Sequence, residues 1–186
     1  MTRVKSCAVI AAAATLAACA GLEPAREPAL RAAGFDLVGR VAVTHDGRAF
    51  SSSIHWEHTA ERDEIWLLTP AGQALAHIVG GADGATYTGA DRSQHRARDI
   101  ESLARRALGW ELPIAHLAWW VQGEIAPAAA VREVERDERG RLTRLGQEGW
   151  RISYTRYPPA EDDGRPLRLE LATGAQAIRL VIDGWR

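Results

Sequence analysis

The segment Phe35-Asp36-Leu37-Val38-Gly39-Arg40-Val41-Ala42-Val43 alternates in polarity. Phe35, Leu37, Gly39, Val41 and Val43 fall on one face. Asp36, Arg40 and Thr44 fall on the other, with Val38 and Ala42 between them. A period of two is that of a β-strand with one buried face. Asp46-Gly47 follows, a dipeptide suited to the positive φ angles of a tight hairpin. Ala49 to Glu57 then alternates again, with Phe50, Ser52, Ile54 and Trp56 opposite Ser51, Ser53, His55 and Glu57. The two strands predict an antiparallel hairpin.

Downstream the same pattern repeats at short intervals. Glu64 to Thr69 is a short strand whose two faces are both apolar, so cover on both sides is expected. Pro70-Ala71-Gly72 turns the chain into a strand from Gln73 to Val79. Gly80-Gly81 and Asp83-Gly84 read as turns, with a short strand from Ala85 to Thr88. Turns every eight to twelve residues predict an antiparallel meander. The period then changes. Ile100, Leu103, Ala104, Ala107 and Leu108 mark an amphipathic helix, with Asp99 as its cap, Arg105 and Arg106 in its last turns and Gly109 at its end. Pro113 is placed as the first residue of a second helix, with Ile114, Leu117, Ala118 and Val121 as its stripe, Trp119 and Trp120 broadening it, and Gly123 ending it. Strands resume at Val131 to Arg136, Arg141 to Leu145, Trp150 to Tyr157, Leu167 to Leu171 and Ala177 to Ile182. The fold class is mostly β (α+β), with about ten strands and two helices packed over one side of the sheet.

Upstream, Arg3 and Lys5 precede an apolar run from Cys7 to Ala18, too short to cross a bilayer. Leu16-Ala17-Ala18-Cys19 sets small residues before a cysteine, the pattern of a bacterial lipoprotein signal. The expectation is cleavage after residue 18 and lipid attachment at Cys19, with residues 19–33 as an Ala-, Pro- and Glu-rich tether that includes a short helix near Ala29 to Ala33. Residues 34–186 form the folded domain. Cys7 and Cys19 are the only cysteines, so the domain has neither a disulfide nor a thiolate metal site.

Twenty-three basic and 24 acidic side chains nearly balance, and no basic run points to nucleic acid. The six histidines form no HExxH. His55 and His58 stand three apart on one strand and so face opposite ways. No nucleophile elbow or phosphate loop occurs, and no pair of carboxylates is singled out by spacing. Neither an enzyme nor a cofactor has positive support. Seven tryptophans, all downstream of Cys19, point instead to an apolar interior, either a filled core or a ligand cavity.

The order of several short motifs resembles the outer-membrane lipoprotein receptor family LolB. They are the Phe35-to-Val43 segment with Phe50-Ser51 and Trp56, Leu108-Gly109 with Leu112-Pro113, Leu117 with Trp120 and Gly123, Gly140-Arg141-Leu142, Gln147 with Gly149-Trp150, and Ile178-Arg179-Leu180-Val181-Ile182-Asp183 with Trp185. The resemblance implies an open antiparallel half-barrel of ten or eleven strands, with a helical lid enclosing an apolar cavity for acyl chains. It further implies a monomeric receptor on the periplasmic side of the outer membrane. Such a receptor takes lipoproteins transiently from the carrier LolA and inserts them into that membrane without nucleotide or metal. Ala20 fits this location, since an aspartate after the anchored cysteine is the usual signal for inner-membrane retention. The inward positions expected to hold acyl chains are Phe35, Leu37, Val41, Phe50, Ile54, Trp56 and Leu67. Leu103, Leu117 and Trp120 join them from the lid, and Trp150, Leu169 and Leu180 from opposite.

One departure stands out. The family's protruding loop usually carries Pro-Leu-Gly, its exposed leucine tied to membrane insertion of cargo. Here the matching residues are Pro70, Ala71 and Gly72, and alanine offers far less apolar surface. Two other readings fit the same sequence: a lipoprotein that binds free lipid or another small apolar ligand, and a structural lipoprotein of outer-membrane assembly.

Overall fold

The computed structural model describes residues 32–108, 112–159, 164–174 and 176–186. The expected signal segment, Cys19 and nearly all of the tether lie outside these residues, as does Gly109. Ala32 to Gly34 has no regular structure, so the expected helix does not extend to Ala32 and Ala33.

The described residues form one eleven-stranded sheet and two helices. The first six strands are β1 Phe35–His45, β2 Arg48–His58, β3 Arg62–Leu68, β4 Ala74–Gly81, β5 Gly84–Gly89 and β6 Gln94–Ala97. Helices α1 Ile100–Leu108 and α2 Ile114–Trp120 come next. The last five strands are β7 Val131–Arg136, β8 Leu142–Gln147, β9 Trp150–Arg156, β10 Arg168–Thr173 and β11 Gln176–Trp185. Spatial order is β6-β5-β4-β3-β2-β1-β11-β10-β9-β8-β7, with β6 and β7 as free edges. The sheet is therefore an open half-barrel, as expected from the resemblance.

The alternation read along β1 sets its faces. Leu37 is buried while Arg40 is exposed, its guanidinium paired with Asp183 at 2.8 Å on the outer face. The register of β1 against β11 slips between Val38 and Gly39. Gly39 is required there, because a Cβ would collide with the carbonyl oxygen of Val181. Such a bulge adds local twist and bends a sheet. His55 and His58 do face opposite ways: His55 meets Asp36 at 2.8 Å and is half-buried, whereas His58 is buried.

Three details differ from the sequence reading. The eleventh strand is β6, whose Gln94, His95 and Arg96 are exposed, so hydrophobic alternation gives no signal there. Charged and polar side chains suit a free edge, where they discourage pairing with other chains. Gly80 and Gly81 belong to β4 rather than to a turn. Finally, β3 is not covered equally on both faces. Ile65 is buried, while Trp66 on the other face is half-buried and stacks on His77 with ring centroids 3.6 Å apart.

The helices follow their caps. The Ser102 N–H donates to Asp99 Oδ1 at 2.7 Å, the N-cap geometry expected for α1. Hydrogen bonding from the Ser102 side chain, with that backbone bond and Arg98 adding to it, holds the Asp99 carboxyl below its ordinary range. Pro113 stands at the N-cap of α2, one position before the expected one. A proline ring cannot accept a hydrogen bond, and the need is met from α1, where Glu101 Oε1 accepts the N–H of Ala115 at 3.1 Å. Gly123 (φ +76°) ends the turn after α2, its N–H donating to the Trp120 carbonyl at 3.0 Å.

Helix α1 packs over β4, β5 and β6. Its Ile100 lies directly on Gly80, where an added Cβ would come within 2.5 Å of Ile100 Cγ1. Gly80→Ala is expected to lift α1 from the sheet and to cost about 1–3 kcal/mol, as overpacking does. Urea unfolding followed by tryptophan fluorescence measures it.

Candidate functional site

The two helices treat the two halves of the half-barrel differently. On the β8–β9 side, α2 is driven into the sheet. Trp120 and Val121 are fully buried among Leu142, Leu145, Ile152 and Tyr154. Gln147 fixes them. Its Oε1 accepts from Trp120 Nε1 at 2.8 Å and from the Ala126 N–H at 3.1 Å. Its Nε2 donates to the carbonyls of Ala126 at 2.7 Å and Ala129 at 3.1 Å. The Tyr154 hydroxyl donates to the Trp120 carbonyl at 3.0 Å. Burial pushes that phenol well above the ordinary tyrosine range, so it remains a neutral donor.

On the β1–β5 side the space beneath the helices is not filled. A cavity of about 470 Å³ lies there, within the range of roughly 300–1,000 Å³ typical of small-molecule sites. Its wall is apolar: Val41, Val43, Ile54, Trp56, Ile65, Leu67 and Ile78 from the sheet, Ile100, Leu103, Ala104, Ile114 and Leu117 from the lid, and Leu171, Ile178 and Leu180 from β10 and β11. Among the described residues, polar side chains in the wall are Tyr87 and, toward one end, His45 and Arg48.

That end is the mouth. The register places the β1–β2, β3–β4 and β10–β11 turns together at one end of the strands. Phe50 lines the cavity there and is 46% exposed. At the other end Trp56, 1% exposed, forms the floor. Its orientation is set by a buried carboxylate. Asp63 Oδ1 accepts from Trp56 Nε1 at 2.9 Å and lies 2.7 Å from His58 Nδ1. Phe35 stacks on His58 and meets Trp56 and Trp185 edge-on.

The thirteen residues expected to contact acyl chains therefore divide. Val41, Phe50, Ile54, Trp56, Leu67, Leu103, Leu117 and Leu180 border the cavity. Phe35, Leu37, Trp120, Trp150 and Leu169 are buried in packed core away from it. Alternation marks which face of a strand is inward, and it is the same over the filled and the empty half. Position relative to α2 decides the outcome, and that is a tertiary fact. The expected set omits other wall residues: Val43, Ile100, Ala104, Ile114, Leu171 and Ile178 stand on faces that the period marks as inward, and Ile65, Leu75, Ala76, Ile78, Tyr87 and Leu112 also line the cavity. Leu75 lies near the start of β4, and Leu112 precedes the N-cap of α2, outside any element with a period.

The β3–β4 connection is a tight turn. The Gly72 N–H donates to the Thr69 carbonyl and the Thr69 N–H to the Gln73 carbonyl, both at 2.8 Å, with Gly72 at φ +80°. Pro70, Ala71 and Gly72 are exposed. Among the described residues no group of histidines, cysteines and carboxylates could hold a metal ion, and no helix is long and apolar enough to cross a membrane.

An open antiparallel half-barrel, with two helices over an apolar cavity that opens at one end, defines a protein built to shelter an apolar chain. The family model for outer membrane lipoprotein LolB matches residues 33–185, and the chain belongs to this family. It is 36% identical to the outer-membrane lipoprotein LolB of Thiobacillus denitrificans over 183 residues, 96% of each chain. It is 35% identical to that of Azoarcus sp. (strain BH72) over 177 residues, 94% of this chain and 91% of the relative. The fold is similar to that of an outer membrane lipoprotein-sorting protein domain from Vibrio parahaemolyticus. The TM-score is 0.52 at 10% identity, over 83% of this chain and 85% of that one.

A charge in the cavity wall has no partner and must be desolvated. Leu67→Glu is expected to weaken binding of an apolar fluorescent dye about tenfold or more, while Val134→Glu on the exposed edge strand leaves it unchanged. Dye titration checks both.

Proposed function

We propose that the acyl chains of a lipoprotein in transit occupy the cavity beneath α1 and α2, with Val41, Phe50, Ile54, Trp56, Leu67, Leu103, Leu117 and Leu180 in contact with them. The protein is an outer-membrane lipoprotein facing the periplasm, a receptor that accepts lipoproteins from the carrier LolA and passes them to the outer membrane. It is a transport protein and not an enzyme. In this reading residues 1–18 are the signal, Cys19 carries the lipid, and 34–186 is the binding domain. Pro70, Ala71 and Gly72 are the counterpart of the family's membrane-insertion loop.

The observation that carries the proposal is the apolar cavity, open at one end, in a chain of this family. The physics requires such a shelter. Apolar surface in water costs about 25 cal/mol per Å², so an unshielded acyl chain does not cross the periplasm. A handoff needs no external energy when each successive site binds the chain more tightly, and the bilayer is the deepest sink.

The test is a transfer assay with the domain released by deleting the signal and replacing Cys19 with Ala. LolA loaded with a labelled lipoprotein is mixed with it in the absence of nucleotide. Acylated cargo is expected to move onto the domain, followed by crosslinking and size. Cargo that stays on the carrier overturns the receptor reading. Purified protein that holds free phospholipid and refuses acylated protein favours the free-lipid binder instead.

A further inference from the structure

The cavity's mouth has an unusual rim. The strand order sets the β3–β4, β1–β2 and β10–β11 turns side by side. A quarter of the chain is charged, yet residues 65–76 and 171–178 contain no charged side chain at all. These stretches supply two of the three turns. The turns at the other end of the sheet are charged, with Glu61 between β2 and β3, Asp83 between β4 and β5, and Asp137, Glu138 and Arg139 between β7 and β8. At the open end the charges lie on the β1–β2 hairpin, with Asp46 and Arg48, and farther along the sheet on the β5–β6 turn, with Asp91 and Arg92, and at Glu148 between β8 and β9.

The middle turn differs from its neighbours. In the β1–β2 hairpin Phe50 is both part of the cavity wall and 46% exposed, a bulky aromatic left in water at the exit. Arg48 lies beside it on the same wall and is exposed. This hairpin also reaches farther than the β3–β4 turn. The last paired level of β2 with β3 is Ser53 with Leu68. Beyond that level β2 continues for five residues to Arg48, about 16 Å at strand rise. The β3–β4 turn reaches its apex at Ala71, three residues on, at most about 10 Å away.

We infer that the β1–β2 hairpin, through Phe50 and Arg48, is the element that meets the phospholipid surface when cargo is released. Phe50 enters the acyl region and provides a continuous apolar path from cavity wall to bilayer, and Arg48 pairs with lipid phosphate. The turns on either side of this hairpin carry no charged side chain and so add no charge to be desolvated. The shorter turn, with its small Ala71, is left as a rim contact. The inference rests on the receptor reading. The lipid anchor is compatible with this orientation. Chain entry at Phe35 is at the closed end, and the eleven residues of β1 span about 36 Å. From Cys19 to Ala32 the chain can reach about 45 Å when extended, enough for the mouth to touch the bilayer that holds the anchor.

The experiment uses the full-length lipidated chain in vesicles of phosphatidylethanolamine and phosphatidylglycerol. A bimane label is placed by Asp46→Cys, Ala71→Cys or Glu138→Cys, and nitroxide-bearing lipids act as quenchers. Quenching at position 46 is expected to exceed that at 71, with position 138 at background. Quenching at 46 that is equal to or below that at 71 overturns the inference. This arm uses no cargo, so its failure is separate from failure of the receptor reading, which shows as wild-type protein taking no cargo from LolA. In a second arm, release into vesicles is measured per cargo bound. Phe50→Ser is expected to slow it about tenfold, the weight of one aromatic side chain entering an apolar phase, and Phe50→Trp to retain it. Phe50→Ser at the wild-type rate overturns the inference.

Discussion

The side-chain amide of Gln147 holds the architecture in place. It has no exposure to solvent, and its oxygen and nitrogen are both fully used. A buried amide in that state is stable where it is and costly anywhere else, because each lost partner leaves a buried polar group worth about 1–3 kcal/mol unsatisfied. It pins the end of α2 and the segment from Ala126 to Ala129 onto β8. With α2 fixed there, Trp120 and Val121 fill one half of the half-barrel. The other half is spanned by α1 and by Ile114 and Leu117, which do not reach its floor, and the cavity is what remains.

A second buried polar group serves the floor. Asp63 orients Trp56 through its indole N–H and is met by His58, and Phe35 packs against both rings. Trp56 therefore presents a fixed apolar surface to the cavity and keeps its one polar atom satisfied. The two devices are alike in logic. Polar groups stand behind the wall, where they set geometry, and the wall itself carries almost none. Such a surface binds by area and shape, which suits a cargo recognised by its acyl chains.

Much of this was legible in the sequence, and the reason is the strict period of its strands. Phe35 to Val43 and Ala49 to Glu57 declare their inner faces residue by residue, and the change of period at Asp99 declares α1. The Asp99 cap and the Gly123 stop follow from local chemistry alone. β6 was not legible, because an exposed edge strand has no apolar face to reveal it. Gly80 reads as a turn residue when its use, admitting Ile100 of α1, depends on a helix twenty residues later. The division of the thirteen candidate residues was hidden for a related reason. Leu169 and Leu180 are paired neighbours on adjacent strands, both inward, yet only Leu180 borders the cavity. No local pattern separates them, since the difference lies in where α2 has settled.

The central claim is that acyl chains lie inside this cavity, and photocrosslinking from its wall tests it most directly. A photoreactive side chain at Ile54 faces the cavity, and one at Ser53, the next residue on the same strand, faces outward. With cargo lipoprotein bound and its acyl chains isotopically labelled, the account predicts crosslinks to acyl carbon from position 54 and not from position 53. Acyl crosslinks from position 53, or none from position 54 while cargo is bound, would contradict it.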